Sequence, residues 1–275
     1  MTCPSRTAWR VAQHRAKHQQ AERGMIFHDP LAIRLLGDEA DAVLACADAP
    51  GEQGFRQFMA VRSRIAEDKL ALAVRHGVRQ AVVLGAGLDT LGLRNPYAAE
   101  GLKMFEVDTP RMQVWKKRHI AEVGISVPDL LTFIPVDFEK ESVKTGLVQA
   151  GFDLHRPAFF SWLGVTPYLT RKSIQNTLSF IASIPQAELV FDYGEPVENY
   201  QGLGRLFMEA LERRVALLGE PWVSRFNAPE MATMLAEAGF RTVTDFDRAR
   251  IFSYFGWPQK SGVGQASAHV IHAAV

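Results

Sequence analysis

Two cysteines in 275 residues, Cys3 and Cys46, are too few and too far apart for a disulfide framework, and neither belongs to a CxxC pair that would hold a metal. Long apolar runs are also missing. The longest, such as Val82-Val83-Leu84, fall far short of the roughly 20 residues that a membrane span requires. The basic amino end, "MTCPSRTAWRVAQHRAKHQQ", has no apolar stretch behind it of the kind a secretory leader carries. Neither charge is in excess, because 31 Lys and Arg face 30 Asp and Glu, and a net charge of +1 gives no field that would gather a polyanion. The eight histidines form no metal motif: His14 and His18 share i, i+4 spacing without a His-Glu-x-x-His pattern around them. The expectation is a soluble, cytoplasmic protein with no metal, no nucleic-acid partner and no membrane partner.

With 47% hydrophobic residues, the chain is long enough to bury a full core, and residues 1–275 read as one elaborated domain. Its front section, 1–78, is helical in pattern, with Ser5-Arg6-Thr7 as a first cap and Phe55, Phe58, Met59, Ile65, Leu70 and Leu72 at three and four spacing. Between 79 and 195 short apolar runs alternate with amphipathic ones. Strands are predicted at 80–84, 102–107, 131–136, 157–162 and 188–193, and helices at 91–99, 110–123, 140–151 and 171–184. From 196 to 275 come two helices, 201–218 and 228–239, then two closing strands, 241–246 and 268–275, with an irregular Gly, Pro and Ser segment at 254–265. Alternation of this kind predicts an α/β fold, a doubly wound, mostly parallel sheet of seven strands covered on both faces.

Ligands of such sheets bind at the carboxyl ends of the strands. The first strand runs into "VVLGAGLDT", where Gly85-Ala86-Gly87 lets the main chain turn sharply and approach a ligand. The second ends in "FEVD", placing Glu106 and Asp108 about 20 residues beyond the loop, where an acid can accept from ribose hydroxyls. The third glycine of a dinucleotide fingerprint is lacking, since position 90 is Thr90. This favours S-adenosylmethionine, which has no pyrophosphate to cradle, over a nicotinamide cofactor.

Together with "FEVDTPRMQVWKKR", "IPVDFEK", "SWLGVTPYLT", "VRSRIAEDKL" and "PWVSRFNAPEMATMLAEAGF", the glycine loop resembles the leucine carboxyl methyltransferase family and its bacterial relatives, class I methyltransferases of Rossmann-like fold. The resemblance spans nearly the whole chain. It implies that Gly85, Ala86 and Gly87 lie against the methionine part of S-adenosyl-L-methionine, that Asp108 takes the ribose hydroxyls, and that Asp137 and Phe138 contact the adenine. Asp137 also stands where an acid would cap the helix begun by "FEKESV". Arg62 matches the family arginine for the cofactor's carboxylate, which a guanidinium can hold with two parallel bonds, and Arg64 is its competitor. Arg15 resembles the second basic residue there, with His18 as the alternative.

Two departures stand out. Leu91 occupies a position that is arginine in many members, and Leu163 one that is glutamate in the leucine carboxyl methyltransferases themselves. The second argues against a protein C-terminus as acceptor. The expected activity is therefore O-methylation of a carboxylate or hydroxyl on a small-molecule acceptor, with Trp162, Tyr168 and Tyr193 as candidate pocket residues and the front section, including His28 and Asp29, as a candidate lid. The alternative is a protein that binds the cofactor without transferring its methyl. No general base is assigned. The run Lys116-Lys117-Arg118-His119 reads as a solvated helix face.

Overall fold

The computed structural model describes residues 3–258 and 266–275, and the chain divides into two compact units, Met1–Phe152 and Asp153–Val275. In the first, Ser5 caps α1 (Arg6–Ala21) by accepting the amide of Ala8 at 3.1 Å. The short α2 (Ala40–Ala45) leads to α3 (Glu52–Arg75), 24 residues that pack on α1 and bury Met59, Ile65, Leu70 and Ala73. The expected strand–helix alternation comes next: β1 (Gln80–Leu84), α4 (Leu91–Arg94), β2 (Lys103–Asp108), α5 (Pro110–Glu122), β3 (Leu131–Pro135) and α6 (Val143–Gln149). β1, β2 and β3 pair in parallel, with Leu84 opposite Val107 and Asp108 opposite Pro135. All five residues of β1 are buried, as in a strand covered on both faces.

The second unit holds β4 (Phe159–Trp162), α7 (Arg171–Ala182), β5 (Glu188–Gly194), α8 (Gly202–Leu217), α9 (Ala228–Ala238), β6 (Thr242–Phe246), α10 (Arg248–Tyr254) and β7 (Ala268–Ala274). β4 and β5 run parallel, while β7 is antiparallel to both β5 and β6. Its core is rich in aromatic rings, with Phe159, Phe160, Trp162 and Phe191 all at 0% exposure. α9 starts at a capping box, Asn227 with Glu230, and stops at Gly239, whose φ of 109° few other residues adopt. The strand order is β3-β2-β1-β4-β5-β7-β6, the mostly parallel seven-stranded sheet of a Rossmann-like α/β fold.

Four elements differ from the sequence reading. The helix expected at 91–99 ends at Arg94, because Asn95 takes a positive φ of 27° and Pro96 comes directly after it. The helix expected from 140 begins at Val143, where Ser142 supplies the cap to the amide of Thr145. α10 occupies a stretch that gave no helical signal, held at its start by Asp247 on the amide of Arg250 at 2.8 Å. The irregular segment expected at 254–265 begins on the last residue of that helix, and its residues 259–265 lie outside the described residues.

Candidate cofactor-binding site

The parallel register sets Leu84 beside Val107, so the loop leaving β1 and the acid ending β2 meet. Gly85 and Gly87 have φ values of 62° and 44°, in the left-handed region that suits glycine. A Cβ on Gly87 would lie 3.3 Å from that of Ala8, so the front helix closes tightly on the loop. The Ala86 amide donates to the Val107 carbonyl at 3.0 Å, and the Gly87 amide donates to Asp108 Oδ2 at 2.6 Å. Asp108 Oδ1 accepts from Thr109 N at 2.7 Å. Burial pushes the Asp108 carboxyl up, against the opposing pull of those two amides.

Behind the loop lies a network of buried charges. From α1, Arg15 donates through Nη2 to the Leu88 carbonyl and through Nη1 to Asp89 Oδ2 at 3.5 Å, with Nε 3.7 Å from Asp29 Oδ2. Asp29, with its side chain fully buried, accepts from the Thr90 hydroxyl at 2.7 Å and pairs with Arg94, which also pairs with Glu67. Burial alone would raise the Asp89 carboxyl, but Arg15 and the Leu91 amide outweigh it and hold it below its usual range.

Lys116 corrects the sequence reading: it is 1% exposed, with Nζ 2.6 Å from Glu106 Oε2 and 2.7 Å from the Asp89 carbonyl. It occupies the buried face of α5, one turn from Met112 and one from Ile120, a spacing that marks the position as inward. Of the run, Lys117 and Arg118 are the exposed members, while His119 stacks on Trp115 with centroids 4.5 Å apart. Glu106 is thus the network's counter-charge, its carboxyl pushed up by burial to about 7, and Asp108 is the acid that faces the loop.

The paired alternatives separate by geometry. Arg62 is 6% exposed, whereas Arg64 points outward and pairs with Asp68 one turn along α3. Arg15 reaches the glycine loop, whereas His18 is committed locally, Nδ1 to Glu22 at 3.0 Å and Nε2 to the Phe27 amide at 3.3 Å. Asp137 and the half-buried Phe138 come just after β3, where the Val136 amide donates to the Asp108 carbonyl at 2.8 Å. The Asp137 carboxylate accepts from Glu139 N at 3.1 Å and from Lys140 Nζ at 2.8 Å, and that lysine holds it below its usual range. It makes a local turn and leaves the helix cap to Ser142. His28 is exposed and its neighbour Asp29 is buried.

In the second unit, Trp162 ends β4 at 0% exposure, and its buried indole N–H meets no acceptor among the described residues. Tyr168, half-buried, closes a short 3-10 turn. Tyr193 on β5 lies directly opposite His269 on β7, and the rings stack at 4.8 Å. The Tyr193 hydroxyl donates to Asp245 Oδ2 at 3.0 Å, and His269 lies between Asp245 at 2.7 Å and Glu195 at 2.9 Å. Burial opposes the charged imidazole, but the two carboxylates prevail and shift His269 upward. A cavity of about 480 Å³ opens beside this cluster, lined by Ala228, Asp245, Asp247, Arg250, Ser253 and His269. Sequence separations of 24 and 74 residues hide the cluster from any local motif. Among the described residues, no group of three or more His, Cys, Asp or Glu could hold a metal, and no helix is long and apolar enough to cross a membrane.

Parallel strands, a glycine loop after the first and an acid after the second define a Rossmann-like fold of the nucleoside-binding kind. Residues 8–182 match the sequence profile described as leucine carboxyl methyltransferase, and the chain belongs to that family. It is 33% identical over 201 residues to YktD of Bacillus subtilis, a protein named for S-adenosyl-L-methionine-dependent methyl transfer, which covers 72% of this chain and 66% of that one. A relative from Mycolicibacterium paratuberculosis with a name of the same kind is 33% identical over 178 residues, covering 59% of this chain and 55% of that one. The chain thus spans between about half and two thirds of these relatives' length. Among solved structures, a duf574 family protein from Streptomyces avermitilis superposes with a TM-score of 0.56 at 14% identity, covering 88% of this chain and 96% of that one. At that identity the likeness is one of fold.

Proposed function

We propose that this chain is an S-adenosyl-L-methionine-dependent O-methyltransferase, organised as one methyltransferase domain, that methylates a carboxylate or hydroxyl of a small-molecule acceptor. The observation that carries the reading is the Gly87 amide on the Asp108 carboxylate at 2.6 Å in a chain of this family. The site's chemistry suits the cofactor. Two glycines in the left-handed region let the main chain turn closely after β1, the acid beside them can accept from a ribose diol, and Arg15 and Arg62 supply guanidinium groups for a carboxylate. Gly85, Ala86 and Gly87 face the methionine part, Asp108 the ribose, and Asp137 and Phe138 the adenine.

Bound there, the cofactor supplies a methyl group on a sulfonium, ready for in-line displacement. The protein's share would then be to align the acceptor with that methyl group and to enclose both, since effective concentration supplies much of the acceleration of such a displacement. A carboxylate acceptor needs no base, whereas a hydroxyl must give up its proton to a nearby histidine or carboxylate. Trp162 supports an acceptor role for the aromatic set with Tyr168 and Tyr193, since its buried N–H, which meets no acceptor among the described residues, suits an oxygen on a ligand. Calorimetric titration with S-adenosylmethionine, S-adenosylhomocysteine and NAD, repeated on Asp108→Ala, tests the cofactor. Saturable binding of the first two alone, weakened about a hundredfold in the variant, is expected; NAD binding in their place would overturn the reading. Formation of S-adenosylhomocysteine with an acceptor then separates methyl transfer from binding alone.

A further inference from the structure

Lys116 is buried at a cost that its pairing alone does not explain. A lysine ammonium is strongly hydrated, and at 1% exposure against Glu106 at 0% it has lost that water entirely. A buried ion pair is weak evidence for stability, because well-packed hydrocarbon of the same volume often serves the fold as well or better. What hydrocarbon cannot do is donate a hydrogen bond, and Lys116 Nζ donates to the Asp89 carbonyl at 2.7 Å. Asp89 ends the loop that opens at Gly85. The preceding carbonyl, that of Leu88, is taken by Arg15, which arrives from α1. Two consecutive carbonyls are therefore held by side chains from two helices, while the amides of Ala86 and Gly87 bind β2. Glu106 also shapes the helix beyond the loop: a Cβ on Gly92 would stand 2.6 Å from its Oε1, so α4 rests directly on this carboxylate.

We propose that Lys116 is a positioning residue that sets the conformation of the Gly85–Asp89 loop for cofactor binding, with Glu106 as the counter-ion that lets it do so from the interior. The inference rests on the loop being the S-adenosylmethionine site. It makes affinity and stability separable. Lys116→Met removes both the donor and the counter-charge of Glu106. Lys116→Met combined with Glu106→Leu removes the donor but leaves no stranded charge.

The experiment is calorimetric titration of S-adenosylhomocysteine into each variant, beside its melting temperature. The single variant melts well below wild type, and the double recovers most of that loss. Both bind about tenfold more weakly, the worth of one hydrogen bond to a charged group. A folded double variant that binds within twofold of wild type would overturn the inference and leave a merely structural ion pair. Should the double variant fail to fold, Glu106→Gln decides, because it keeps the ammonium on the Asp89 carbonyl: weakening of no more than about threefold is expected, and a tenfold loss there overturns the proposal. Absence of binding by the wild-type protein would overturn the cofactor reading as well, which distinguishes the two failures.

Discussion

Replacing His269 with glutamine tests whether its imidazolium ties β6 and β7 to the segment after β5. In the structure the ring is 4% exposed and lies 2.7 Å from Asp245 and 2.9 Å from Glu195. Breaking a buried pair costs about 3–5 kcal/mol, and the partial exposure of both carboxylates, 29% and 15%, sets the expectation at the low end, about 3 kcal/mol. At roughly 2 °C per kcal/mol for a chain of this size, the melting temperature falls by about 6 °C. The pH dependence identifies the cause. The folded-state pKa of His269 is raised above its ordinary 6.5, so its contribution is complete below about pH 6.5 and is lost as pH climbs through the raised value. Thermal unfolding of wild type and His269→Gln is measured from pH 6 to 9. A gap that is widest at pH 6 and closes with rising pH is expected. A gap that stays flat or widens upward would show that packing, and not charge, holds the cluster.

His14 carries the opposite sign. It is 4% exposed, both ring nitrogens lack a hydrogen-bond partner among the described residues, and burial lowers its pKa to about 4. The fold holds its imidazole neutral, at no cost above about pH 6.5, and loses stability as pH falls towards 4 because the unfolded chain binds the proton first, so His14→Phe gains on wild type over that window, by up to about 3 kcal/mol in equilibrium unfolding. Asp108→Ala, which removes the partner of two amides, weakens S-adenosylhomocysteine binding about a hundredfold by calorimetry. Gly87→Ala combines a φ of 44° with the 3.3 Å approach of Ala8 and costs about 1–2 kcal/mol, read as a lower melting temperature. Trp162→Phe raises the acceptor's KM about tenfold once an acceptor is found, with the cofactor's Kd held.

The parallel strands were legible because each carries a largely apolar run, and the meeting of Gly87 with Asp108 because the parallel connection fixes both spacing and side. What escaped was set by tertiary context. Lys116 looked solvated in a run of basic residues, although its spacing to Met112 and Ile120 marks the inner face of α5. Arg62 and Arg64 are indistinguishable by residue type, and only the packing of α3 turns one inward. The Tyr193–Asp245–His269–Glu195 cluster depends on β7 running antiparallel between β5 and β6, a register no local pattern announces. α10 was missed because its seven residues are too few to show a period.

The bond from Arg15 to the Leu88 carbonyl spans 73 residues, and that from Thr90 to Asp29 spans 61. Closing such long stretches of chain costs more entropy than forming local turns and neighbouring strand pairs. The glycine loop therefore reaches its working shape only when the first helix has docked, however early β1 and β2 have paired. A ligand held by that loop is felt at the amino end of the chain: at a hundredfold excess over its Kd it adds about 2.7 kcal/mol to the docked state. Saturating S-adenosylhomocysteine should accordingly slow amide exchange and protease cutting in α1, the helix whose arginine holds the loop at the Leu88 carbonyl.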